Sequence, residues 1–151
     1  MDREKDLDRL RKWLVTYPGY DLSGNMLVDW LDKIPGSKSL RPGGLVEVSR
    51  TEDILGNITV SNQYNFGLYI AVEKSPGDGE GAAYNAAWVL DLQRWVQAQS
   101  TARLAPTFGN IDQSQETIKA QNGELYDTDQ EGVGIYVIAL SVGFKERYEV
   151  N

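Results

Sequence analysis

The chain has 151 residues, a net charge of −7 and a sequence pI of about 4.6, with no His and no Cys. Those two absences exclude Ser–His and Cys–His nucleophilic pairs, thiolate and imidazole metal sites, and every disulfide. They also remove the side chain best poised for proton transfer near neutral pH. Lys and Arg are too few and too scattered to neutralise a run of phosphates, so sequence-specific nucleic-acid binding is not expected.

A length of this order suits one domain with one core, here residues 1–151. Apolar residues make up 41% and charged residues 25%, and four Trp, eight Tyr and three Phe argue for a packed interior rather than disorder. The opening MDREKDLDRLRK is charged throughout and lacks the apolar core of a secretory signal. Synthesis and assembly in a cytoplasm are therefore expected, with no membrane partner.

Residues 2–15 read as an amphipathic helix, with Leu7, Leu10 and Leu14 on one stripe and Trp13 beside them. Tyr17-Pro18-Gly19 stops it. The stretch from Met26 to Ile34 is mixed and takes no assignment. Pro35-Gly36-Ser37 and Pro42-Gly43-Gly44 bracket a short segment around Leu40 that reads as an edge strand.

The clearest pattern runs from Ile58 to Val72. Every even position except Asn62 is apolar or aromatic, and most odd positions are polar or small. Period two means a strand with one face on a core. Its length predicts a bend or bulge, with Gly67 a candidate. Leu45 to Glu52 is expected to pair with it through a turn near Leu55-Gly56-Asn57. Glu73 to Gly81 is a Gly-rich acidic loop. A phosphate-cradling loop needs a Lys with a following Ser or Thr after its glycines, and here Asp78 and Glu80 would repel phosphate.

Ala82 to Gln99 predicts a second helix whose stripe of Tyr84, Trp88, Leu92, Trp95, Val96 and Gln99 should pack on the sheet. Ala105 to Asn110 is a loop. Gln115 to Ala120 reads as a strand, and Asn122-Gly123 as a hairpin turn leading to Glu124–Tyr126. Gly134 to Phe144 is apolar on both faces, so it is expected to lie centrally or to have one face at a subunit contact. The predicted fold is α+β: a mainly antiparallel sheet with an N-terminal helix and one long helix packed on one face.

Two chemical readings of the acids fail on their own terms. Asp127-Thr128-Asp129-Gln130-Glu131-Gly132 is similar to the opening of an EF-hand loop, but the twelfth position is Ile138 instead of a bidentate Glu, and the flanks read as strands. A glycosidase needs two converging carboxyls, and no pair is marked. Catalytic, cofactor-binding and metal residues are all expected to be absent, so the chain is not read as an enzyme.

The order of features resembles the tail terminator family of long-tailed bacteriophages and prophages, also described as minor capsid or head–tail joining proteins. The matching pieces are the N-terminal helix and Asp29-Trp30-Leu31 leading to Pro35-Gly36-Ser37-Lys38-Ser39-Leu40. Next come Gln63-Tyr64-Asn65-Phe66, and Asn85-Ala86-Ala87-Trp88 through Asp91-Leu92-Gln93-Arg94-Trp95-Val96. Last are Leu104-Ala105-Pro106 and Gly123-Glu124-Leu125-Tyr126-Asp127, then Asp129-Gln130-Glu131-Gly132 before Tyr136. The likeness spans roughly residues 3 to 149 and rests on order and spacing, since each motif alone is core and turn chemistry.

That resemblance implies a structural virion protein without an active site or cofactor. Its copies would form a homohexameric ring on the tail tube, ending tail growth and offering a surface for the head. The implied partners are other copies, the tail tube protein and a head-completion or connector protein, with DNA passing through the ring without specific binding. Localisation would be the tail or neck of the virion, after assembly in the bacterial cytoplasm. Candidate subunit-contact residues are Tyr69, Ile135, Val137 and Ala139. The alternative is a carbohydrate-binding or other non-catalytic β-rich binding module, which would place exposed aromatic rings on the wet face of the sheet.

Overall fold

A computed structural model describes residues 3–19, 26–28, 37–73, 79–128 and 133–150. In chain order the elements are helix α1 (Arg3–Val15), strands β1 (Met26–Val28), β2 (Lys38–Glu52) and β3 (Ile58–Glu73), helix α2 (Gly79–Thr101), a 3-10 turn (Gln113–Gln115), and strands β4 (Thr117–Thr128) and β5 (Val133–Tyr148). The strands form one sheet in the order β1-β2-β3-β5-β4, antiparallel except where β1 runs parallel to the start of β2. This is the α+β arrangement that the hydrophobic patterning predicts.

The period-two pattern becomes the central strand. β3 pairs with β5 without a register break from Ile58↔Tyr148 to Glu73↔Val133. Phe66, Leu68 and Ile70 of β3 are buried on one face, together with Ile138, Leu140 and Val142 of β5. α2 covers that face with Trp88, Leu92 and Val96, and α1 adds Leu10, Trp13 and Leu14, all in one continuous core. Tyr64 and Trp95 are half-buried at its margin. Trp88 and Leu92 share this core with Phe66 and Leu68, while Trp95 at its margin stacks on Trp13.

The helix ends follow local chemistry. Thr16 and Tyr17 donate their N–H groups three residues back, to Trp13 and Leu14 O, which tightens the last turn of α1 before Pro18. α2 closes with a paired motif in which Leu104 N donates to Gln99 O and Arg103 N to Ser100 O. Arg103 takes the left-handed position usually held by glycine, at φ 59°.

Five sequence expectations are corrected. The segment around Leu40 is not a separate edge strand: β2 runs on through Pro42-Gly43-Gly44, which forms a bulge, and Leu40 is flanked by β1 and β3. Gly67 is not a bulge, because β3 keeps its register there and the irregularities fall on β2, at Gly43 and Val48. A strand hydrogen-bonded on both sides along its length cannot gain a residue without disrupting two ladders, whereas β2 beyond Leu40 has one neighbour among the described residues.

Asn122-Gly123 is not a hairpin turn either. β4 runs through it with a register shift, and Asn122 sits at φ 55° inside the bulge. Residues that tolerate positive φ serve a bulge as well as a tight turn, and β5 is long enough to pair with both halves. Gln115 belongs to the 3-10 turn rather than to a strand, and Gly79–Gly81 are already helical. Asp78, the rest of the acidic connector before it and the tip of the β4–β5 connection (129–132) lie outside the described residues.

Where β4 begins, the loop 107–111 takes over as neighbour of β5. Asn110 N donates to Lys145 O at 3.2 Å, Arg147 N donates to Asn110 Oδ1 at 2.7 Å, and Ile111 bridges to Lys145. Gly109 is required here: a Cβ would collide with the carbonyl of Lys145. Phe108 then packs on Phe144, ring centroids 6.0 Å apart, under the Arg9 guanidinium. Among the described residues no helix is long and apolar enough to cross a membrane.

Candidate functional site

The sheet face turned away from the helices carries the odd positions of β3 and β5. It is mostly uncharged and polar, with Ser61, Gln63, Asn65 and Ser141 along its middle. At its centre is a shallow depression of about 300 Å³ over Gly67, lined among others by Tyr69, Val137 and Ala139. Three of the four candidate contact residues are thus brought together. Tyr69 faces Val137 across the β3–β5 pair, with the Arg41 guanidinium 4.3 Å from its ring centroid, and Ala139 is exposed beside Gly67. Ile135 sits at the end of the same face, opposite Ala71, and is only 6% exposed.

The two edges of the sheet differ in kind. On β4 the outward backbone groups are capped by α2: Ile118 N donates to Ser100 Oγ at 3.1 Å, and Gln93 Nε2 donates to Ala120 O at 3.2 Å. These bonds blunt the edge against strand addition. Beside them α2 and β4 leave a groove of about 530 Å³, with Leu90, Ile118 and Ala120 among its apolar residues. Arg94 and Lys119 also line it, and among the described residues neither makes an ion pair.

On the other edge, no described strand pairs with β2 beyond Leu40. The far half of the β2–β3 hairpin exposes Leu45, Val46 and Val48 and ends in a turn at residues 53–57. Asp53 builds that turn. Its Oδ1 accepts the N–H groups of Leu55 and Asn57, each at 2.9 Å, and its Oδ2 accepts Asn57 Nδ2 at 3.1 Å. Gly56, at φ 89°, donates its N–H to Asp53 O. Asn57 in turn holds the C-terminal segment, accepting Val150 N at 3.0 Å. The hydrogen bonds from Asn57 and Leu55, with Arg147 nearby, hold the Asp53 carboxyl below its ordinary range. The product is a fixed knob whose two apolar side chains, Ile54 and Leu55, are 103% and 80% exposed.

Neither a scan against protein-family models nor a search of curated proteins returns a match for this chain. The site must therefore be read from its own chemistry.

Among the described residues no three acids converge as a metal site would need. Glu116 is the carboxyl whose affinity for its proton is raised, by burial, although Phe108 and Gly109 donate N–H groups to its two oxygens at 2.7 and 3.1 Å and Arg9 lies nearby. With both oxygens committed to the backbone, Glu116 clamps the 107–109 loop rather than facing a substrate. The sequence places a turn near Leu55-Gly56-Asn57, as found, but singles out neither Glu116 nor Ile54 and Leu55 as an exposed pair. The one available signal for the knob was Asp53 three residues before Gly56, a turn signature enclosing two large apolar residues that have no strand partner to bury them.

Proposed function

We propose that this chain is a structural subunit of a long-tailed phage or prophage, which caps the tail tube as a ring, ends its growth and presents the surface to which the head joins. The ordered segments that resemble tail terminators are the basis of the reading. The observation that supports it best is the inequality of the two sheet edges, one ending in an apolar knob and the other in a helix-covered groove. Copies bearing two different edges can join head to tail, the kind of contact that builds a ring when its repeated rotation closes. The tail tube protein and a head-completion protein would meet the two rims, and DNA would pass through the lumen. No catalytic step belongs to this role. The carbohydrate-binding alternative is less well supported, because Tyr69 is the one aromatic residue among the outward positions of β3 and β5 and is half-buried against Arg41.

The test is deletion of the gene in the phage or prophage that encodes it. Filled heads without joined tails, and tubes of uncontrolled length, are expected. Normal, head-joined tails after deletion would overturn the reading.

A further inference from the structure

We infer that the Ile54–Leu55 knob of one copy docks in the α2–β4 groove of the next copy, so that this single contact, repeated, builds the assembly. The inference rests on the ring reading only for its consequence; the contact itself is argued from the two surfaces.

The knob has the properties of a binding anchor. Two large aliphatic side chains stand almost fully in water on a turn already fixed by five hydrogen bonds to or from Asp53 and its neighbours. A pre-ordered loop loses little conformational freedom on binding, and apolar anchors in pockets dominate contact energies. Exposed residues of this size on a rigid turn contribute nothing to the fold of the isolated chain.

Charge selects the partner. Two carboxylates flank the knob: Asp53 is paired with Arg147 at 3.6 Å, which leaves Glu52 as the exposed acid beside it. The groove presents Arg94 and Lys119 at its rim, and no acid is among its lining residues. Leu90, 49% exposed, and Ala120 offer the apolar floor, and the Arg and Lys stems extend it. Opposite charge around matched apolar centres favours this pairing over knob against knob, where carboxylates would face each other.

Position makes the contact intermolecular and polar in direction. The knob belongs to the β2 side of the sheet and the groove to the β4 side, separated by β3 and β5. Three strand spacings put them ~14 Å apart across the sheet, so a chain cannot fill its own groove without refolding. Each copy has one knob and one groove on opposite sides, which defines a head-to-tail contact.

The experiment uses the full chain in two variants, I54D/L55D without the knob and R94E/K119E without the groove charge. All four positions are exposed, so both should keep the wild-type melting temperature. Alone, each should be monomeric in analytical ultracentrifugation. Mixed, they retain one working knob and one working groove, and should form a one-to-one dimer that grows no further. Because the chain lacks Cys, Leu55→Cys and Gln97→Cys supply unique thiols. A disulfide should form when the two single-Cys proteins are mixed at high concentration under mild oxidation, and not in either protein alone beyond background. No heterodimer and no cross-link would overturn the contact, even if the wild type is monomeric. Rings that persist in both variants would overturn the contact while leaving the ring reading in place. A heterodimer, with gene deletion that leaves tails normal, would establish the contact and remove the tail-terminator reading.

Discussion

The indole of Trp13 stacks on the indole of Trp95, with ring centroids 4.9 Å apart and planes 25° apart. Trp13 Nε1 also donates to Gln99 Oε1 at 3.1 Å, one turn further along α2. Tyr17 completes the attachment by donating its hydroxyl to Asp91 Oδ2 at 2.6 Å. The N-terminal helix is thus fastened to the second helix by aromatic contacts, whereas its exposed pairs, such as Asp8–Lys12 at 3.0 Å, contribute only about 0.3–0.5 kcal/mol each.

Trp13→Ala should therefore cost roughly 3–5 kcal/mol, the usual range for removing a buried Trp. That is a large share of a total stability of ~5–15 kcal/mol. Urea denaturation followed by circular dichroism measures it. A loss below ~1 kcal/mol would show that α1 is held by something other than this stack.

Asp53→Ala should loosen the hairpin tip without unfolding the protein. It removes the acceptor of the Leu55 and Asn57 N–H groups, both at an exposed turn. Amide hydrogen exchange at Leu55 and Asn57 should accelerate at least tenfold, while the amides of Leu68 and Ile138 keep their protection. Because the folded Asp53 carboxyl titrates below its ordinary value of 3.8, its contribution is present above that pH and lost as pH falls through the folded value. Unchanged exchange at both tip amides in the variant would refute the role given to Asp53.

Glu116 should act in the opposite sense. Its folded value lies above the ordinary 4.5, so between the two the native state binds more protons than the unfolded chain. Stability contributed by the neutral form is full below about 4.5 and is lost as pH rises through the folded value. Urea midpoints measured from about pH 4 to about pH 7 should fall across that window in the wild type. In Glu116→Gln the fall attributable to this group should vanish, although the variant is less stable throughout because Gln offers one acceptor to two N–H donors. An identical pH slope in both proteins would exclude Glu116 as its source.

Arg103→Gly should stabilise the chain by about 1 kcal/mol, since a side chain in the left-handed conformation is strained and glycine is not. Thermal unfolding should show a rise of a few degrees. A lower melting temperature would mean that the Arg103 side chain makes a contact worth more than its backbone strain.

Much of this fold is legible in sequence because its signals are periodic and local. The even positions from Ile58 to Val72 mark a strand with one buried face, and they line the core wherever hydrophobic surface must leave water. Leu10 and Leu14, and Trp88, Leu92 and Val96, repeat at helical spacing and fall on the buried stripes for the same reason. Pro18 ends α1 through the backbone restriction it carries wherever it occurs.

What the tertiary structure decided is what neighbours decide. Asn122-Gly123 and Pro42-Gly43-Gly44 announce unusual backbone but not its use; whether such residues reverse the chain or kink a continuing strand depends on how far the partner strand extends. The capping of β4 by Ser100 and Gln93 joins residues whose side chains have no mark distinguishing them from any others on a helix surface. The exposure of Ile54 and Leu55 is likewise a property of the assembled sheet, since an apolar pair in a turn reads the same whether a core reaches it or not. Periodicity reports which face of an element avoids water, and it is silent about which edges and turns remain uncovered once those faces have met.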